Sequence, residues 1–389
     1  MDTRTLLTRL IAPLGVGDEL AGHRVVEVSE AHGMRLVVAR GETRVFLDVD
    51  ALDPSFAFAA ATERLAISYR GADPSRPITG RDGRALAEAL ASRLIVNEAR
   101  VLESLAEEAR SARTSSEGTA RIREVQVAHA LEPGGEGEAR FDTISPYVGC
   151  LVGCTFCYAQ ERLHRTRALF SLPTIAWGSW VDARVNVADV LRGELTSGRD
   201  PRPIKLSPIV SDPYHAIERR FRLTRAVIEA IRDDGRRDAL LLTRSAIVRD
   251  DLTLLLDARA HLGFSIPTVR EEIRASLEPR SATIEERFAV LADARALGIP
   301  TFAMIQPVLD GDVVPLADAI ARTCDSAQLD VLRGTYGAAA IFEGPALADL
   351  ARADVQAELV MTLRDALIAR GVRVWDGELP PDLMHPPRA

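Results

Sequence analysis

The sequence predicts an α/β protein: six strand–helix units of a parallel sheet, open or closed as a partial barrel, preceded by a small β-rich unit. Three observations predict it. From residue 140 onward, short apolar runs alternate with amphipathic stretches at helical spacing. Before residue 75 the apolar runs are rich in Val and Leu, partly alternating, and broken by turn residues. Between these regions, Leu131-Glu132-Pro133-Gly134-Gly135-Glu136-Gly137 is polar and full of breakers, which suits a domain boundary.

In chain order, strands are expected at His23–Val28, Met34–Ala39 and Thr43–Asp48, with Gly33 and Gly41 at the turns. Arg64–Tyr69 adds a further strand. Residues 83–112, rich in Ala, Leu, Glu and Arg, form a long helix. Residues 1–112 are thus one unit and 113–139 a linker. The core spans 140–335, with strands near 141–146, 204–210, 239–243, 261–266, 300–305 and 329–333. Its helices fall near 155–166, 187–196, 216–233, 248–259, 283–297 and 313–323. Successive βα units imply a parallel sheet, whose chemistry sits at the C-terminal strand ends. Residues 336–389 add a helical extension and an irregular tail holding Pro380, Pro381, Pro386 and Pro387.

A chain of 389 residues is long enough for two or three domains. No apolar run approaches the roughly 18 residues of a membrane span. Met1-Asp2-Thr3-Arg4 lacks the plan of a signal peptide, so a cytoplasmic location is expected. The formal net charge of -8 argues against general nucleic-acid binding, which draws on clustered Lys and Arg.

Of four cysteines, Cys150, Cys154 and Cys157 crowd into eight residues, and Cys324 lies apart. A disulfide framework would spread even numbers over a small secreted chain. The C-x3-C-x2-C spacing after the first core strand points instead to soft thiolate ligation. Three thiolates can hold three irons of a cubane and leave the fourth iron open. A structural zinc site would need a fourth ligand, with Cys324 and His164 the candidates.

This loop resembles the radical S-adenosylmethionine (radical SAM) signature. The resemblance implies a partial (β/α)6 TIM-like radical SAM barrel, a [4Fe–4S] cluster on Cys150, Cys154 and Cys157, and S-adenosyl-L-methionine as cofactor. It also implies reductive cleavage of the cofactor to a 5′-deoxyadenosyl radical that abstracts a substrate hydrogen. An external one-electron reductant of flavodoxin or ferredoxin type would supply the electron.

Residues 142–310 resemble the spore photoproduct lyase branch more closely. Cys154-Thr155-Phe156-Cys157-Tyr158 is similar to that family's cluster loop. Pro208-Ile209-Val210-Ser211-Asp212, Thr243-Arg244 and Phe264-Ser265-Ile266 match runs whose Ser, Lys and Ser reach the cofactor. Leu277-Glu278-Pro279-Arg280 with Arg287 matches a Glu-Pro…Arg pattern. The resemblance assigns Ser211, Arg244 and Ser265 to the cofactor, although serines also end strands and cap helices. Glu278 either touches the cofactor or braces its loop through Arg287. Two departures matter. Ile209 stands where the family has the Cys that returns a hydrogen atom, and Phe156 replaces a tyrosine. Tyr158 either relays hydrogen, as a catalytic residue, or packs by the cluster.

Other signals are less specific. Asp212 either caps the next helix or approaches the substrate. Tyr214 and His215 either line the pocket or stay on its rim. Residues 218–225, with four basic side chains, form either a solvated helix face or a phosphate contact. Gln306 is a candidate for the adenine side, and Trp177 and Trp180 for a lid or an anchor. The N-terminal hairpins either capture an extended peptide by strand addition or serve as a packing extension. The expected function is radical chemistry on a peptide or small metabolite. A DNA photoproduct lyase-like repair enzyme and a non-catalytic zinc or iron–sulfur binding module are the rivals.

Overall fold

The computed structural model describes every residue except 1–2, 12–13, 30–33, 53–56, 74–76, 136–139, 197–200, 208–209 and 385–389. The expected turn at Gly33, the end of the breaker run at Glu136-Gly137, Pro208-Ile209, and Pro386-Pro387 lie outside the described residues. The chain divides into two compact units. One comprises Met1–Arg113, Val125–Gly134 and Arg162–Thr174, and the other Thr114–Glu124, Gly135–Glu161 and Ile175–Ala389.

In the first unit, the strands His23–Ser29, Met34–Arg40, Thr43–Ala51 and Leu65–Gly71 pair antiparallel. The alternate residues Val45, Leu47 and Val49 are buried against Leu86, Leu90 and Leu94 of the helix Gly80–Ser111. That helix begins three residues earlier than periodicity suggests. Thr79 caps it, accepting a hydrogen bond from the Asp82 backbone N–H at 3.1 Å. Gly83 sits in its first turn because a Cβ there would overlap the Tyr69 ring. Glu98, buried on the same helix, accepts from Thr62 Oγ1 at 2.8 Å and Arg64 N at 3.0 Å.

The second unit is built on parallel strands: β1 (Phe141–Thr143), β2 (Ile204–Leu206), β3 (Ala239–Thr243), β4 (Ala260–Ser265), β5 (Thr301–Ile305), β6 (Ser326–Leu329) and β7 (Arg373–Trp375). They pair in strict sequence order. Right-handed crossovers in an order that never reverses put the helices on one face, and the sheet curls away from them as a partial TIM-like barrel. The other face buries Phe141, Leu240, Leu242, Phe302 and Trp375. The sheet exceeds the six strands expected, because β7 lies within the C-terminal extension. β6 also falls three residues before its expected position.

The expectation of a linker over 113–139 is corrected. Thr114–Glu117 and Ala120–Val125 form an antiparallel hairpin closed by Gly118-Thr119, with Gly118 at φ +58°. They share a four-stranded sheet with Tyr147–Val148 and Trp180–Arg184. Arg123 pairs with Asp182 across that sheet, both largely buried. The tail is corrected likewise, since Pro381–Met384 is a helical turn.

Candidate active site

The cysteine loop leaves the Tyr147–Val148 strand at Gly149 and ends at the helix Ala159–Leu169. Gly149 holds φ +80° against the Trp180 ring, where no side chain fits. Its N–H bonds Val210 O at 3.1 Å, and its carbonyl accepts from Ser211 Oγ at 2.6 Å. Thr155 N donates to Leu277 O at 2.9 Å, Trp177 Nε1 to Cys154 O at 3.1 Å, and Gln160 Nε2 to Thr155 O at 2.8 Å. Segments following β2 and β4 thus fold the loop over the C-terminal strand ends. There Cys150, Cys154 and Cys157 face one recess of about 320 Å³, together with Ser211, Asp212 and Arg244.

Burial pushes the Cys150 thiol up to about 12, with the Asp212 carboxylate adding to the rise. Burial also raises Cys154 well above the usual range, and raises Cys157. Opposing forces are aimed at the sulfurs. The Asp212 N–H donates to Cys150 Sγ at 3.4 Å, and Arg244 lowers both Cys154 and Cys157. Burial disfavours the Arg244 charge, yet Cys154 and Glu278 outweigh it and raise its pKa above the ordinary value. For these three thiols to ionise in an apolar recess, a positively charged occupant is needed.

A [4Fe–4S] cluster fits these donors. The ligands are all thiols, N–H and guanidinium groups attend the sulfurs, and Ser211 and Arg244 line the same recess. Among the described residues, no three His, Cys, Asp or Glu side chains are grouped to hold a single metal ion. Cys324 is buried elsewhere, beside Thr323 Oγ1 at 3.7 Å.

The sequence candidates separate by position. Ser211 and Arg244 line the recess. Arg244 Nε donates to Glu278 Oε1 at 2.8 Å, and Glu278 also pairs with Arg287, both side chains fully buried. Arg287 Nη1 bonds the Ser265 carbonyl at 2.6 Å and Nε the Ala282 carbonyl at 3.0 Å. Ser265 and Glu278 therefore lie behind Arg244, outside the residues lining the recess. Tyr158 is 45% exposed and also outside that lining. Asp212 is a clamp between strand ends, accepting from Tyr214 N, Thr243 Oγ1 and Arg244 N at 2.9, 2.7 and 2.7 Å. Tyr214 is buried, with its hydroxyl on Asp251 at 2.9 Å.

His215 is buried too, its ring 4.5 Å from that of Tyr147. It borders a second, open cleft of about 1210 Å³, with Leu151, Arg219, Ser245 and Arg280. Within 218–225, Arg219, Arg220 and Arg222 are exposed, while Glu218 is buried against Tyr147. Gln306 Nε2 donates to Asp330 at 2.9 Å. Trp177 lines the recess and Trp180 is buried. Sequence reasoning missed the contact of Arg280 with the loop, whose one trace in the sequence is a pair of glycines, Gly153 and Gly178.

Residues 144–320 match the family described as the Radical SAM superfamily. An uncharacterized protein of Methanocaldococcus jannaschii is 30% identical over 181 residues, which is 46% of this chain and 64% of that one. An uncharacterized protein of Mycobacterium tuberculosis is 28% identical over 171 residues, 43% of this chain and 49% of that one. The chain thus spans 64% and 49% of the length of these two relatives. A solved spore photoproduct lyase, complexed with dinucleoside spore photoproduct, aligns with a TM-score of 0.45 at 18% identity, over 60% of this chain and 75% of that chain. The match to the radical SAM superfamily model thus spans residues 144–320, a little under half of the chain.

Proposed function

We propose that this chain is a radical SAM enzyme that binds a [4Fe–4S] cluster through Cys150, Cys154 and Cys157. The observation that carries the reading is the convergence of three thiols on one recess at the C-terminal strand ends, with Arg244 beside them. When bound, the cluster and S-adenosyl-L-methionine supply an electron and a 5′-deoxyadenosyl radical able to abstract hydrogen from an unactivated C–H bond. The protein's share is ligation, orientation and exclusion of water. The Asp212 N–H stabilises Cys150 as thiolate. Arg244, held by Glu278, offers its guanidinium to the thiolates and to the cofactor's carboxylate. Ser211 fixes the start of the loop and borders the cofactor side. Ser265 and Glu278 support this shell through Arg287, and Tyr158 stands outside it. The reductant is an external flavodoxin- or ferredoxin-type protein, and the substrate a peptide or small metabolite.

A second reading, a DNA photoproduct lyase-like enzyme, draws on the exposed Arg219, Arg220 and Arg222. The test is anaerobic reconstitution with iron and sulfide, reduction, addition of S-adenosyl-L-methionine, and assay of 5′-deoxyadenosine. The wild type is expected to make the nucleoside, and a Cys150→Ala, Cys154→Ala, Cys157→Ala variant none. A loaded wild type that makes none, and whose cluster spectrum ignores the cofactor, refutes the proposal.

A further inference from the structure

We infer that Arg280 is a positioning residue that clamps the middle of the cysteine loop through a pair of glycines, Gly153 and Gly178. Arg280 Nε donates to Leu151 O at 2.6 Å and Nη2 to Gly178 O at 2.9 Å. One guanidinium therefore ties the stretch between Cys150 and Cys154 to the segment preceding the Trp180–Arg184 strand. Gly153 and Gly178 both adopt left-handed backbone, φ +63° and +83°. A Cβ on either would overlap Arg280 Nη2 and come within 2.9–3.0 Å of the other's Cα. Two glycines are thus needed twice over, for conformation and for room. Lysine has no planar fork to reach two carbonyls at once.

The base of the clamp is rigid. Arg274 Nη1 bonds the Glu278 carbonyl at 3.0 Å, Ala282 N bonds Arg244 O at 2.8 Å, and Leu277 O accepts from Thr155 N. The loop is also held at Gly149 and Thr155, on either side of the Leu151 contact. The arm stays exposed and lines the open cleft together with Leu151 and Gly178.

This inference rests on the loop being the cluster site, and its test does not. Apo-protein would be alkylated with iodoacetamide, and each cysteine's labelling rate read by mass spectrometry. The buried Cys324 is the internal reference for global opening. In Arg280→Met, labelling of Cys150 and Cys154 is expected to rise about tenfold relative to Cys324, with Arg280→Lys intermediate. Gly178→Ala in the Arg280→Met background is expected to add less than it does alone. Unchanged labelling, or equal acceleration of Cys324 in both Arg280 variants, overturns the clamp. Wild type that takes up no cluster defeats the functional reading and leaves this result standing.

Discussion

At the residue scale, the most consequential charge is Glu278. Burial alone would raise its pKa, but Arg287 and Arg244 outweigh burial and hold it below the usual carboxylate range. Neutralising it leaves two guanidinium groups without their counter-charge. Glu278→Gln is therefore expected to cost about 3–5 kcal/mol, the range for breaking a buried pair. Calorimetry would measure it, and a loss under 1 kcal/mol would mean that water or another acid compensates. His215 carries the opposite signature. Burial lowers its pKa to about 3, and neither ring nitrogen has a partner among the described residues. The folded state keeps the imidazole neutral where the unfolded chain, near 6.5, takes a proton. Stability must fall as pH drops from 6.5 towards 3, by on the order of 2 kcal/mol at pH 4.5. His215→Phe should flatten that limb of a denaturation-versus-pH curve, and parallel curves would refute the neutral assignment. The three cysteines were legible because ligand spacing is local. The backbone contacts of Asp212 and Arg280 were not, because they reach groups brought near by the fold.

At the scale of elements, most strands and helices were legible, since parallel strands buried on both faces read as apolar runs. β7 was hidden because it has three residues, one of them a charged Arg373. The 114–125 hairpin was hidden because Thr-Ser-Ser-Glu is polar and its partner carries two arginines. Gly263 shows what an unremarkable residue can encode. It stands opposite Phe302 in the β4–β5 register, and a Cβ on it would overlap the Phe302 ring. That ring packs edge-on to Trp375 at 6.1 Å, joining β5 to β7. Gly263→Ala should destabilise by about 1–3 kcal/mol through overpacking. Phe302→Leu in the same background should recover part of the loss. If both substitutions simply add in a thermal melt, the ring is not what the glycine accommodates.

At the scale of the whole molecule, charge bears on the substrate. A net charge of -8 repels a polyanion, yet Arg219, Arg220 and Arg222 expose three cations on one short stretch. Their neighbour Arg225 is tied to Asp251 and Glu229 and adds little free charge. The two substrate readings part on salt. Each arginine that neutralises a duplex phosphate contributes about 0.9 to the slope of log affinity against log salt. For a DNA substrate, replacing all three with Ala should therefore flatten the slope by about 2–3. For a peptide or small metabolite, duplex affinity should be weak at physiological salt and unchanged by the replacement. We expect the second outcome, since a net charge of -8 works against binding a polyanion. Fluorescence anisotropy with a short duplex, titrated at several salt concentrations on wild type and variant, decides between them. A steep wild-type slope that falls in the variant would move the substrate search to nucleic acid.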